Sequence, residues 1–166
     1  MKLFIKKKFE VVLLLGTNLG NRENNLQLAI SLLTGSVGNL IKQSSIYETA
    51  AWGLENQPNF LNQIIILSTS QSPKFLMKTI LKIEKKMGRE RLVKMGPRII
   101  DIDILFYENR IINKPSLTIP HPRIQFRRFV LVPLNELQPN YLHSILNKSV
   151  KDLLIACADT LNVKKF

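Results

Sequence analysis

Two aspartates separated by one residue, in Gly96-Pro97-Arg98-Ile99-Ile100-Asp101-Ile102-Asp103-Ile104-Leu105, are the residues of this chain best placed to do chemistry. The run around them is apolar and β-branched, which is the composition of a buried strand. In a strand, residues two apart face the same side. Asp101 and Asp103 are therefore expected on one face, with Ile100, Ile102, Ile104 and Phe106 on the other. Two carboxylates held side by side away from water lose hydration and repel each other. A divalent cation between them, or a pair of cations, relieves both costs. Metal-assisted phosphoryl transfer uses such carboxylates to hold Mg²⁺ ions ~3.5–4 Å apart, and it needs further cations to follow charge onto the leaving oxygen. Arg98, kept close to the acids by Pro97, has the fork geometry that suits phosphate. Arg89 and Arg91 lie in a basic loop running to Pro97, from which they can swing in. The plainer alternatives are a solvent-facing strand surface for the acids and a solvated loop for the two arginines.

Other residues point to a flat ligand. Asn62 interrupts an apolar run on the same strand face as Phe60, and an amide beside an aromatic can bond the edge of a heterocycle whose face is stacked. Phe60, Phe129 and Trp52 otherwise read as core aromatics. His121, in Ile119-Pro120-His121-Pro122, has its backbone fixed between two prolines and is a ligand-contact candidate, whereas His143 reads as packing. Neither GxxxxGK[ST] nor GxGxxG occurs, so no P-loop or Rossmann site is expected. The Gly16-Thr17 turn invites comparison with nucleotidyltransferases, but there the acids follow closely, and here they are far downstream.

These residues need a scaffold. The chain has 166 residues, 45% hydrophobic and 7% aromatic, which suits a single domain over 1–166 with a real core. One cysteine, Cys157, excludes an intrachain disulfide and makes the cytoplasm the default location. Two histidines and that cysteine, far apart, do not make a structural zinc site. The basic start, Met1 to Lys8, is followed by an apolar run too short for a signal peptide, and no segment approaches the ~20 apolar residues of a membrane span. The net charge is +12, with seven cations in the seventeen residues from Lys82 to Arg98 and a further group at Arg123, Arg127 and Arg128. An anionic small substrate or nucleic acid would account for it; the terminal lysines read as solvated tails.

The pattern along the chain is β-α-β-β-α-β with additions. Phe9 to Leu15 is a first strand, and Asn21 caps a helix carrying Leu26, Ala29, Ile30 and Leu33. Leu40 to Tyr47 reads as one strand, Thr49 to Pro58 as a loop, and Phe60 to Thr69 as a strand. Ser72-Pro73 starts a second helix, with its stripe on Leu76, Ile80, Ile83 and Met87 and its end at Gly88. After the Asp101–Asp103 strand, Arg110 to Ile112 is expected to turn back on it, Pro115 to Arg123 to be irregular, Phe126 to Leu134 to form a short helix or turn, and Val150 to Ala158 to form a last helix. The fold class expected is α+β: a ferredoxin-like βαββαβ sandwich, its antiparallel sheet covered by helices on one face, with extra C-terminal elements.

Taken together, Leu15-Gly16-Thr17-Asn18-Leu19-Gly20-Asn21, Ser45-Ile46-Tyr47-Glu48-Thr49, Gln57-Pro58-Asn59-Phe60-Leu61-Asn62, Gly88-Arg89-Glu90-Arg91, the block from Gly96 to Leu105 and Ile119-Pro120-His121-Pro122-Arg123 resemble the 6-hydroxymethyl-7,8-dihydropterin pyrophosphokinase family of folate biosynthesis, from about Val12 to Glu136. The resemblance implies transfer of the β,γ-diphosphate of ATP, the co-substrate, to the pterin hydroxymethyl group, with AMP released. It implies two Mg²⁺ ions on Asp101 and Asp103, and Arg89 and Arg98 as catalytic phosphate clamps. It implies ATP contacts from Glu84, Arg91, Arg98, Ile104, Thr118, His121 and Arg127. The implied pterin pocket is Thr49, Ala50, Trp52, Phe60, Asn62, Asp101 and Phe129, with Phe60 and Phe129 on either side of the ring. Small-molecule substrates, a cytoplasmic monomer and no nucleic-acid or membrane partner are expected; the alternatives are a nucleic-acid-binding module and a metal-dependent nucleotidyltransferase. Three departures stand out: Met95 where members carry tryptophan, Trp52 where a small or aliphatic residue is common, and Pro122 where some members have tyrosine.

Overall fold

The structure is a computed structural model and describes residues 7–51, 56–90 and 96–166. Phe9–Thr17 (β1) runs through the middle of a six-stranded antiparallel sheet, between Phe60–Thr69 (β4) and Asp101–Tyr107 (β5). Arg22–Ser36 (α1) follows β1, and Asn21 caps it by accepting the Asn24 N–H at 3.0 Å. Pro73–Lys86 (α2) begins after Ser72, whose side chain accepts from the Phe75 N–H, and ends before Gly88, which takes a positive φ of 84°. Both caps and the glycine stop stand where the sequence puts them.

The expected strand over Leu40 to Tyr47 is instead two strands, Gly38–Gln43 (β2) and Tyr47–Thr49 (β3), each paired with a different half of β4. Ser44 causes the break. Its Oγ accepts the Ile64 N–H at 3.0 Å and its backbone N–H donates to the Ile64 carbonyl at 2.8 Å, so a hydroxyl stands in for the ladder. Val163–Lys165 (β8) adds to the outer side of β3.

Packing divides the sheet into two faces. Leu13, Leu15, Leu61, Ile65, Ile102 and Ile104 meet α1 and α2 in one core. Leu14, Ile64, Ile66, Leu105 and Phe106 meet Arg128–Leu137 (α3) and Val150–Ile155 (α4) in a second. Helices therefore cover both faces, not one, because the C-terminal additions pack against the face left open by the ferredoxin-like unit. Phe106 is also corrected: it does not share the face of Ile102 and Ile104. The register of β5 against β1 slips between Val12 and Leu13, and one extra residue moves every later side chain to the opposite side.

Past β5, Ile112–Lys114 (β6) pairs not with β5 but with Leu117–Ile119 (β7), in the stretch expected to be irregular. Ile124–Phe126 forms a single 3-10 turn before α3, and the last helix stops at Ile155, earlier than expected. His143 is a packing residue: its Nδ1 accepts from the Ile145 and Leu146 N–H groups, and its ring meets Phe106 edge-on.

At Gly38 a Cβ would lie 2.0 Å from the Ser68 carbonyl oxygen. That close backbone approach is what a strand glycine permits. Gly38→Ala is expected to push β2 off β4 and lower unfolding stability by ~2 kcal/mol or more; an unchanged urea midpoint would show that the approach is not needed.

Candidate active site

At one end of the sheet the last residues of β1 and β3 meet the first residues of β4 and β5. They bring Gly16, Thr49, Ala50, Phe60, Asn62, Asp101 and Asp103 into one cavity of about 500 Å³, which α3 and the turn before it close with Arg127, Phe129, His121 and Arg123. Gly16 matters here because it has no side chain. A Cβ there would sit 3.3 Å from Asn62 Oδ1 and 3.9 Å from the Phe60 ring, so the glycine keeps the floor between them clear. Asn62 donates through Nδ2 to Thr49 Oγ1 at 2.9 Å, and both are buried.

The acids share a face as expected, Asp101 opposite Gly16 and Asp103 opposite Leu14. Burial, and then the charge of Asp101, push the Asp103 carboxyl up to about 7; Arg127 pulls the other way without prevailing. Asp101 is held between two arginines. Arg89 Nη1 reaches Asp101 Oδ1 at 2.6 Å and also pairs with Glu84, while Arg98 Nε lies 3.0 Å from Asp101 Oδ2. Burial, then Arg127 and Arg123, lower His121 to about 4, so it is a neutral imidazole at pH 7.

Arg98 is positioned through its backbone. Its N–H donates to Asn18 Oδ1 at 2.8 Å, its carbonyl accepts from the Asn18 N–H at 3.1 Å, and its guanidinium lies 5.0 Å from the Phe60 ring centroid. Asn18 Nδ2 in turn donates to Gln57 Oε1 and to the Pro58 carbonyl. A single amide thus ties the turn after β1 to the segment before β4 and to the arginine.

A second cavity, of about 810 Å³, opens on the other side of the acids, between α2 and the β6–β7 hairpin. Met77, Ile80, Ile102, Ile112 and Leu117 give it apolar walls, and Lys74, Lys78, Arg110 and Lys114 line it as well. Asp101 and Asp103 line both cavities. Glu84 lines the second; it is buried, and it accepts the Ile102 N–H at 2.9 Å.

Residues 12–139 match the sequence profile of one family, described as 7,8-dihydro-6-hydroxymethylpterin-pyrophosphokinase (HPPK). A 2-amino-4-hydroxy-6-hydroxymethyldihydropteridine pyrophosphokinase of Aquifex aeolicus is 43% identical over 142 residues, 86% of this chain and 88% of the relative. One of Synechocystis is also 43% identical, over 84% of this chain and 72% of the relative. The chain belongs to the HPPK family. A Plasmodium falciparum HPPK-DHPS crystal structure superposes with a TM-score of 0.76 at 19% identity, covering 92% of this chain and 46% of that one; it supports the fold. The reaction of the family, and of this pyrophosphokinase, is pyrophosphoryl transfer from ATP to hydroxymethyldihydropterin in folate synthesis.

Of the residues expected in the HPPK site, Thr49, Ala50, Phe60, Asn62, Arg89, Arg98, Asp101, Asp103, His121, Arg127 and Phe129 line the first cavity, and Glu84 lines the second. Ile104 lines neither; its place on β5 points it into the core under α2. Thr118, on β7 opposite Asn113, also lines neither. Trp52, Arg91 and Met95 lie outside the described residues. Sequence reasoning missed Asn18, quoted only as part of a motif, and the α2 and hairpin residues of the second cavity, whose ordinary types give no signal. Among the described residues no helix is long and apolar enough to cross a membrane.

The Asp103 shift carries a pH signature. The carboxyl titrates at 3.8 when unperturbed and at about 7 in the fold. Between those values the native state holds a proton that the unfolded chain has released, so the contribution of Asp103 to stability is lost as pH rises through that window. With EDTA present, Asp103→Asn is expected to be more stable than the parent at pH 8, with the advantage fading toward pH 4. Urea curves at the two pH values check this, and an advantage independent of pH would rule the burial argument out.

Proposed function

We propose that the two cavities divide the substrates of the HPPK reaction, the pterin entering the first and ATP the second, so that the acids lie between the pterin hydroxyl and the phosphates. The observation that supports this most directly is that Asp101 and Asp103 line both cavities. In the first, Phe60 and Phe129 offer faces to a flat ring, and Asn62, with its Nδ2 already given to Thr49, has its Oδ1 left to accept from an exocyclic amine. In the second, the apolar walls suit a base, and the lysines and Arg110 suit anionic groups.

The donor set fits two Mg²⁺ ions. Mg²⁺ takes one or two carboxylates and completes its shell with water and substrate phosphate oxygens. Asp101 and Asp103 supply two carboxylates on one strand face, while Glu84 is engaged with Arg89 and the Ile102 N–H. Burial and the neighbouring Asp101 charge raise the Asp103 pKa, and a bound cation would relieve both. Bound Mg²⁺, held by Asp101 and Asp103, would neutralise phosphate charge and polarise the phosphoryl group under attack.

The protein's own part is electrostatic. Arg89 and Arg98 are held at Asp101, and an entering triphosphate offers them a stronger and bidentate acceptor. Once they transfer, they follow charge from the β-phosphoryl group onto the oxygen that leaves with AMP. Glu84, which lines the second cavity, pairs with Arg89, which lines the first. Neutral His121 can donate or accept a hydrogen bond at the phosphates without adding charge.

Incubation with Mg-ATP and 6-hydroxymethyl-7,8-dihydropterin, followed by chromatography, is expected to give AMP only when the pterin is present. ADP or inorganic pyrophosphate as the nucleotide-derived product would exclude the reading. Asp101→Asn and Asp103→Asn are expected to lose turnover by about a hundredfold or more while staying folded. Arg98→Ala should lose far more in kcat than in affinity for ATP, since its phosphate contact strengthens as charge moves in the transition state; a larger loss in Kd than in kcat would make it a ground-state binder.

A further inference from the structure

The helix that closes the first cavity is not capped by its own sequence. α3 begins at Arg128, and Arg127 occupies its N-cap position with a side chain that makes no cap bond. Arginine has no acceptor to offer there, and its guanidinium lies 5.6 Å from the Phe129 ring centroid, on the cavity side. Helix starts prefer Ser, Thr, Asp or Asn because the first N–H groups need an oxygen. Here the oxygen comes from thirty-one residues downstream: Asp159 Oδ2 accepts the Arg128 N–H at 2.9 Å. Asp159 Oδ1 accepts the Leu161 N–H at 3.0 Å, which turns the chain toward β8.

β8 then pairs with β3, placing Val163 opposite Thr49, Lys164 opposite Glu48 and Lys165 opposite Tyr47. The Phe166 N–H donates to the Ile46 carbonyl at 2.9 Å, and the Phe166 ring packs under the Arg22 guanidinium at 5.8 Å. Arg22 in turn holds Glu48 at 2.7 Å and the Asn59 carbonyl at 2.9 Å. The segment from Asp159 to Phe166 therefore grips both walls of the first cavity, the α3 start that carries Arg127 and Phe129 and the β3 end that leads to Thr49 and Ala50. The contacts named above lie at the walls of the first cavity, and the segment lies beyond residues 12–139, where the family profile ends.

We infer that this C-terminal segment is a positioning element for the acceptor site: Asp159 and β8 set the spacing between Phe129 and the Thr49–Asn62 wall, and so the affinity for the pterin. The inference rests on the reading of the first cavity as the pterin site. An acid at a helix start also suits the positive end of the helix dipole.

The test compares pterin and nucleotide binding in full-length variants. Pterin fluorescence titration and calorimetry with a non-hydrolysable ATP analogue give the two Kd values, and thermal melting gives stability. Asp159→Ala is expected to weaken pterin binding about fivefold, the scale of a lost cap, and to change analogue binding by less than about twofold. Asp159→Asn keeps an acceptor and should restore most of the pterin affinity. Lys164→Pro attacks the same element from its other end: the Lys164 N–H faces β3, on the same side as that of Phe166, and proline removes it. It should repeat the selective loss. Phe60→Ala controls for the pocket. If it weakens the pterin and neither tail variant does, the inference is wrong and the pocket reading stands. If Phe60→Ala has no effect, both fall. A tail that only stabilises the fold would lower the melting temperature and leave the pterin Kd of the folded protein unchanged, which also overturns the inference.

Discussion

Asp101 and Asp103 repel each other across one residue at the start of an edge strand, and the architecture around them is organised to offset that repulsion. Arg89 arrives from just beyond α2 and Arg98 from the segment entering β5, and each takes one oxygen of Asp101. Glu84 steadies Arg89 from the opposite side and uses the same carboxylate to satisfy the Ile102 N–H. Arg127 approaches Asp103 from the α3 side. A pair of arginines at one acid and a raised pKa at the other is an unequal arrangement. At Asp103, burial and the Asp101 charge outweigh the arginines that face it.

The sheet itself separates two tasks. On one face, Leu13, Leu15, Ile102 and Ile104 are packed under α1 and α2 and hold the strands rigid. On the other, the same strands end in Gly16, Asn62, Asp101 and Asp103, side chains that serve a ligand. Function is thus built on strand ends whose backbones are fixed by a core they do not share, the arrangement that holds reacting groups within a few tenths of an ångström.

Much of this was legible in the sequence because the signals are local. Asn21, Ser72-Pro73 and Gly88 act on their own turns, and the strand period alone places the two acids together. What was not legible depends on contacts between distant parts of the chain. The break at Ser44 arises from a hydroxyl that bonds β4, twenty residues away. The slip opposite Val12 and Leu13 that turns Phe106 over has no marker of its own. The second cavity is assembled from residues such as Met77 and Leu117, which look like ordinary packing until α2 and the hairpin face each other. Asp159 has no local signal because the helix it caps begins far upstream.

The place of β5 at the rim of the sheet has a consequence for the protein in a crowded solution. An edge strand rich in isoleucine offers unpaired backbone groups to any other strand, and proteins guard such borders against self-association. Here the Glu84 carboxylate accepts the Ile102 N–H, and the His121 N–H donates to the Leu105 carbonyl. The residue that steadies the phosphate-side arginine therefore also helps to close the border of the sheet.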